Sequence, residues 1–270
     1  MKDCHVHTNI SHDGISSIKD YLDIAQSKNV DEITFTEHYD IYDGLKTNLK
    51  TLDVNQYEKE YYQCKDDDQL KTNFGIEIGL QPDTYTQINN MVKSHHFDFI
   101  IGSSHITCKK DIAMDKSFFD GITRREAYLK YFREVLQNIK LYNDEFDVYG
   151  HIDYIVRYGG YTEKKIDYDE FQEILDEILI QLIKKDKGIE INTSGIRYGL
   201  GMPHPNKEII KRYKQLGGKI ITMGSDAHKI NDLGADFDVA SSILMDAGFQ
   251  EIAVFHNRTP DFVKIKELVK

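Results

Sequence analysis

Along the chain, short apolar runs alternate with longer stretches whose apolar residues recur every three to four positions. The short runs predict strands at DCHVH (3–7), EITFTEH (32–38), FGIEIGL (74–80), FDFIIGSSH (97–105), DVYGHID (147–153), GIEINTSG (188–195) and KIITMGSDAH (219–228). EIAVFHN (251–257) is a candidate eighth. The longer stretches predict helices. IKDYLDIAQSK follows Ser17, a good N-cap residue, and REAYLKYFREVLQNIKLY lies just behind Thr123. Over 168–186, Phe171, Ile174, Leu175, Ile178, Leu179, Leu182 and Ile183 keep the period of an amphipathic helix. Segments 38–56 and 106–122 read as longer loops. Seven or eight β-then-α units predict a parallel sheet, and their number favours a closed barrel over an open doubly wound sheet. No linker, low-complexity tract or repeat divides the chain, so a single domain over residues 1–270 is expected.

Composition narrows the function classes. Hydrophobic residues make up 40% and charged residues 29%, as in soluble globular proteins. A net charge of −11 argues against nonspecific binding to nucleic acid or anionic membranes. No apolar run is long enough to span a bilayer, and the N-terminus has no signal-peptide pattern. Cys4, Cys64 and Cys108 are widely spaced, without a CxxC pair, which argues against a disulfide framework or a zinc ribbon. The expected compartment is the cytosol.

Active residues of a parallel barrel gather at the C-terminal ends of its strands. Here the first strand ends in His5 and His7, which alternation puts on one face, with Asp13 soon after. The second ends in Glu37-His38, and the third carries Glu77. Ser104-His105 ends the fourth, His151 and Asp153 the fifth, Asn192 the sixth (with Arg197 beyond it), and Asp226 and His228 the seventh. Six of the 11 histidines therefore fall at predicted strand ends. Protonated, they would repel one another at one barrel mouth. Neutral and mixed with carboxylates, they suit divalent metals. His5, His7, Asp13, His38, Glu77, His105, His151, Asp226 and His228 offer nine groups, whereas one catalytic zinc takes three protein ligands. Two or three metals are implied, and the ligand types suit Zn, Mn or Fe. Glu77 is the candidate bridge, because a glutamate inside an apolar strand is costly unless it is partnered. Its plain alternative is a glutamate facing outward.

HVHT with a following DG, TEH, GIE, GSSH, GHID and GSDAH, in that order, resemble the polymerase and histidinol phosphatase (PHP) superfamily from residue 3 to about 230. The resemblance implies a distorted seven-stranded (β/α) TIM-like barrel with a trinuclear metal centre at its mouth. GHIDYIVRYG (150–159) followed by EINTSGIRYGLGMPHPN (190–206) is most similar to stand-alone histidinol-phosphate phosphatases, which release phosphate from L-histidinol phosphate in histidine biosynthesis. Carried over by position, His5 and His7 with Glu77 and Asp226 would hold one metal. Glu77, His105 and His151 would hold a second, and Asp13, His38 and His228 a third. Family chains often place one Asp or His just before the glycine. Asp13 directly precedes Gly14 and is assigned as the ligand, with His12 at the rim.

The implied reaction is direct attack on phosphorus by a metal-bridging hydroxide, without a phosphoenzyme. Arg157 and Arg197 lie just past strand ends, and their guanidinium forks match phosphate oxygens. The plain alternative is a surface arginine in an ion pair. No general acid is assigned. Glu37 and Asp153 neighbour ligand histidines and are candidates to orient them. His204 is a candidate substrate contact or proton donor, or else a cap for the helix after Pro205, and Tyr198 a candidate contact for the substrate's imidazole. His95, His96 and His256 read as surface or packing residues. The nearest rival keeps the site and changes the ester to a nucleotide, sugar phosphate or phosphotyrosine. An amidohydrolase would want fewer ligands and a lysine at a strand end, which this chain lacks. A non-catalytic, metal-bound module of the kind found inside DNA polymerases is disfavoured by the intact ligand set and by a surface poor in charge for DNA.

Overall fold

The computed structural model describes residues 1–64 and 70–265. Seven strands form one sheet in the order β1 (Lys2–Val6), β2 (Glu32–Tyr39), β3 (Lys71–Gly79), β4 (Phe99–Ser103), β7 (Val148–Tyr149), β8 (Gly188–Asn192) and β9 (Ile221–Gly224). Neighbouring pairs are parallel throughout. The sheet closes where β1 meets the end of β9. Val6 bridges Ala227, His7 N–H donates to Ala227 O (2.8 Å), and Asp226 N–H donates to His5 O (2.8 Å). The expected (β/α) barrel is thus formed with seven strands.

The helices α1 (Ile18–Ala25), α2 (Val54–Cys64), α3 (Tyr85–Ser94), α4 (Arg124–Leu141), α5 (Tyr168–Lys184), α6 (Lys207–Gln215) and α7 (Phe237–Asp246) follow the strands. Ser17 and Thr123 each form a full capping box, with Asp20 and Glu126. Apolar strand residues such as Ile33, Phe35, Phe74, Ile76 and Ile78 pack in the core. The alternate positions build a polar core inside the barrel. Asn73 donates to Glu32 (2.8 Å) and Thr34 (3.2 Å), and Val6 N–H donates to Thr36 Oγ1 (3.1 Å). Glycines keep this core narrow, since a Cβ on Gly75 would lie 2.8 Å from Thr34 Cγ2.

Three expectations change. The candidate eighth strand, β10 (Glu251–His256), stays out of the barrel and pairs antiparallel with β11 (Thr259–Lys264). The two turn residues Asn257 and Arg258 both adopt positive φ, as a tight hairpin requires. Phe255 stacks on Phe99 (5.0 Å) and His256 bonds Glu32 (2.6 Å), so the hairpin packs against the N-terminal ends of β2 and β4. The loop expected at 106–122 contains a hairpin of β5 (Ile106–Thr107) and β6 (Lys110–Asp111), and α2 starts inside the loop expected at 38–56. The fifth strand is cut to two residues, because the chain leaves the sheet at Gly150 for a short turn over Tyr154–Arg157. His151 and Asp153 therefore sit beyond the strand.

Candidate metal centre

Glu77, on β3, is fully buried and is the hub of the barrel mouth. Its Oε1 lies 2.8 Å from His151 Nε2 and 3.3 Å from His105 Nε2. Its Oε2 lies 2.9 Å from His38 Nδ1 and 3.4 Å from the Nε2 atoms of both His5 and His7. Five imidazoles from four places in the chain thus face one carboxylate. Asp226 and Asp13 flank them. Asp226 Oδ1 is 3.4 Å from His7 Nε2, and Asp13 Oδ2 is 3.1 Å from His228 Nε2 and 3.5 Å from His38 Nε2. The structure brings all nine sequence-predicted ligands together.

The outer faces of three rings are fixed by further contacts, two of them from residues the sequence analysis did not single out, Glu190 and Asp40. His5 Nδ1 pairs with Glu190 Oε1 (2.6 Å), and His105 Nδ1 with Asp40 Oδ1 (3.1 Å). His228 Nδ1–H donates to Asp226 O (3.0 Å). Each contact puts a proton on Nδ1 and leaves an Nε2 lone pair aimed inward, the usual device for preparing a metal-ligating histidine. Glu190 carried a readable signal, a glutamate inside the apolar strand GIEIN, like Glu77 inside GIEIG. Asp40 had none beyond proximity to His38.

Do these residues fit a metal? His5 Nε2 and His7 Nε2 are 2.9 Å apart, so two ring nitrogens converge on one point. Glu77 Oε2 and His38 Nδ1 are buried and face each other at 2.9 Å without hydrogen-bond geometry, a costly state for polar atoms that a cation relieves. Three overlapping donor sets lie close enough to share an ion: His5–His7–Glu77, His38–Glu77–His105 and His7–His38–His228. His38 belongs to two of these sets. Burial opposes ionisation of Glu77 and Asp226, yet the surrounding histidines hold both well below the usual carboxylate range. Burial and then His38 and His228 drive His7 well below its ordinary value, leaving it neutral. At His5, burial is outweighed by Glu190, Glu77 and Asp226, and the ring is pulled upward. That marks an excess of negative charge at the centre, and the donor set fits divalent cations.

Local backbone supports the cluster. A Cβ on Gly14 would lie 1.8 Å from Thr8 O, so only glycine permits the turn that presents Asp13. Asp226 adopts φ 55°, a left-handed conformation uncommon outside glycine, which turns its carboxylate toward the histidines. Glu37 does not orient His38, as expected from their adjacency. It points to the 8–11 loop instead, accepting from Thr8 N–H (3.0 Å), Thr8 Oγ1 (2.7 Å) and Ser11 N–H (3.0 Å).

The arginines differ in role. Arg157 lines a cavity of about 490 Å³ above the cluster, between the rings of Tyr154 (5.1 Å) and Tyr198 (4.3 Å). It donates through Nη2 to Ser194 Oγ and through Nε to His204 Nε2 (2.9 Å). Arg197 does not line this cavity. Its Nη2 donates to the carbonyls of Ser225 (2.7 Å) and Asp226 (3.0 Å), which braces the Asp226 turn, while Nη1 is buried without a partner. His204 and Asp153 are fully buried, with His204 Nδ1 2.5 Å from Asp153 Oδ1. Both ring nitrogens of His204 are therefore occupied. Neither residue faces the cavity as a proton donor, and Asp153 holds His204 rather than the ligand His151. Asn206, not His204, caps α6. Tyr198 covers Arg157, and His12 sits on the cavity rim beside Asp13. Among the described residues no lysine, serine or cysteine lines the cavity.

A barrel with this histidine–carboxylate mouth belongs to a known class. The PHP domain model matches residues 3–194, and the chain belongs to the PHP domain family. A histidinol-phosphatase of Lactococcus lactis subsp. lactis (strain IL1403) is 32% identical over 277 residues, covering 99% of this chain and 98% of the relative. A probable histidinol-phosphatase of Clostridium acetobutylicum is 31% identical over 242 residues, covering 87% of this chain and 89% of that protein. The crystal structure of the L. lactis histidinol phosphate phosphatase, complexed with zinc, L-histidinol and phosphate, superposes with a TM-score of 0.85 at 31% identity. The match covers 96% of this chain and 98% of that one.

Proposed function

We propose that the chain is a metal-dependent histidinol-phosphatase, hydrolysing L-histidinol phosphate to L-histidinol and phosphate in histidine biosynthesis. The observation that carries this reading is the single carboxylate, Glu77, ringed by five imidazoles beneath a cavity walled by Arg157. Likeness over nearly the whole chain to an enzyme seen with zinc, L-histidinol and phosphate supports the substrate. His5, His7, Glu77 and Asp226 would hold one divalent ion, Glu77, His105 and His151 a second, and Asp13, His38 and His228 a third. Bound there, divalent ions supply positive charge for the phosphate and lower the pKa of water.

The chain's own residues do the rest. Arg157 binds the phosphate oxygens that face away from the cluster, its guanidinium held flat between two tyrosines. Arg197 contributes by bracing the Asp226 turn. Glu190 and Asp40 keep the ligand rings in the required tautomer. With no serine or cysteine on the cavity wall among the described residues, water is the nucleophile and enters in line with the ester oxygen.

The barrel and its hairpin act as one domain. The three cysteines are unpaired, which supports work in a reducing cytosol. No helix among the described residues is long and apolar enough to cross a membrane. The test is phosphate release from L-histidinol phosphate before chelation, after it, and after adding back zinc or manganese. Activity lost and restored supports the reading, and activity indifferent to chelation overturns it.

A further inference from the structure

The cavity has two chemically distinct walls. One is the metal-ligand cluster with Arg157. The other carries a carboxylate that hydrolysis does not need. Asp111 pairs with Ile106 across the β5–β6 hairpin, and the next residue, Ile112, donates its N–H to His105 O (3.1 Å). This register holds Asp111 beside the chain segment that supplies the ligand His105, and Asp111 lines the cavity with Tyr42, Tyr154 and Tyr158. Its Oδ1 accepts from the N–H groups of Ala113 (3.0 Å) and Met114 (3.2 Å), which fixes the side chain. Its Oδ2 has no hydrogen-bond or ion-pair partner among the described residues. The adjacent lysines are turned elsewhere, Lys109 to Asp83 (2.7 Å) and Lys110 to Ser117 Oγ (2.8 Å). A fixed, uncompensated negative charge on the wall of a phosphate site would repel an anionic substrate unless the substrate brings a cation of its own.

We propose that Asp111 is the counter-ion for an ammonium group on the substrate alcohol, so that the site selects phosphate monoesters of amino alcohols over amine-free esters. The proposal deepens the histidinol-phosphatase reading and rests on it for the position of the phosphate. The aromatic wall of Tyr42, Tyr154 and Tyr158 excludes water around the pair and strengthens it.

The test compares wild type with Asp111→Asn, both metal-loaded. Asparagine keeps the Oδ1 acceptor for the loop and removes only the charge. The ratio of kcat/KM for L-histidinol phosphate to that for p-nitrophenyl phosphate is expected to fall roughly 10- to 100-fold, the range for losing a hydrogen bond to a charged group. Calorimetric binding of L-histidinol should weaken by a similar factor in the variant, and that of N-acetyl-histidinol should not. A ratio within about twofold of wild type, or equal weakening of both ligands, overturns the proposal. Should wild type show no preference for L-histidinol phosphate, the substrate reading fails separately. Ammonium selection is then judged on phosphoethanolamine against ethyl phosphate. A wild-type preference for phosphoethanolamine that Asp111→Asn abolishes sustains it, and no preference refutes it.

Discussion

Replacing Asp153 by asparagine probes how Arg157, proposed to bind the phosphate, is held. Arg157 Nε–H can only donate, so His204 Nε2 must accept at 2.9 Å, and the ring proton must sit on Nδ1. Asp153 Oδ1 receives that proton at 2.5 Å, while its Oδ2 receives Asn206 N–H at 3.3 Å. Burial lowers the pKa of His204, with Asp153 opposing, so the ring works in its neutral form. Asparagine has the same shape but one acceptor where Asp153 has two. Facing its oxygen to His204 leaves Asn206 N–H against an NH2 group. Facing it to Asn206 forces the other tautomer on His204 and sets Nε2–H against Arg157 Nε–H. Either way one buried donor is orphaned, at a cost of about 1–3 kcal/mol. Misplacement of Arg157 by the same energy lowers kcat/KM roughly 5- to 150-fold and raises the inhibition constant of inorganic phosphate in parallel. Steady-state kinetics and phosphate inhibition on metal-replete protein measure this, with thermal melting as the check on folding. In an Arg157→Ala background the substitution should add little further loss. Wild-type kcat/KM and phosphate inhibition in a folded Asp153→Asn protein, or a loss that persists in full without Arg157, would refute the relay.

Three other outcomes are expected. Glu77→Gln should reduce metal content by at least one equivalent per chain and abolish most activity, because it removes the charge that five imidazoles face; elemental analysis showing full occupancy would contradict this. Gly224→Ala puts a Cβ 2.4 Å from His5 Cβ and 2.5 Å from Glu190 Oε1, so stability should fall by about 1–3 kcal/mol and metal affinity should fall with it; unchanged denaturation and metal titration curves would rule the clash out. At Glu32, burial is outweighed by hydrogen bonds from Asn73, Lys2 and His256, and the carboxyl is lowered from 4.5 to about 2. A depressed folded value adds stability above pH 4.5 that drains away as pH falls toward 2. Allowing for solvent screening, the contribution is about 1–2 kcal/mol. Urea unfolding at pH 3 and pH 6 should therefore show a shallower acid loss for Glu32→Gln, and identical pH dependence in the two proteins would contradict the assignment.

The metal-ligand cluster was legible because its signal is local. Apart from Glu77, which interrupts the apolar run of β3, each candidate ligand stands near or beyond the end of an apolar run, and barrel geometry brings the ends of parallel strands together. The same rule pointed to Arg157, which lines the cavity, and to Arg197, which grips the Asp226 turn, a contact that its position past β8 does not encode. Glu190 was within reach, since a glutamate inside GIEIN poses the same burial problem as Glu77, but its role depends on the barrel closing β9 onto β1, which brings His5 within one strand of β8. Asp40 and the Asp153–His204–Arg157 chain depend on contacts 47 to 65 residues apart, which periodicity does not encode. The eighth apolar run was read correctly as a strand. Its place was not readable, because the positive-φ turn at Asn257-Arg258 and the bond from His256 to Glu32 direct it out of the barrel. The polar barrel interior was hidden for a similar reason, as Thr34 and Asn73 look like ordinary strand residues until alternation places them inside.

The most direct measurement is the rate of phosphate release from L-histidinol phosphate by the metal-loaded chain, set beside p-nitrophenyl phosphate, a nucleoside monophosphate and phosphotyrosine under the same conditions. A kcat/KM for L-histidinol phosphate at least tenfold above every other ester is the predicted result. Equal or faster turnover of another ester would contradict the histidinol-phosphatase reading while leaving the metal centre in place.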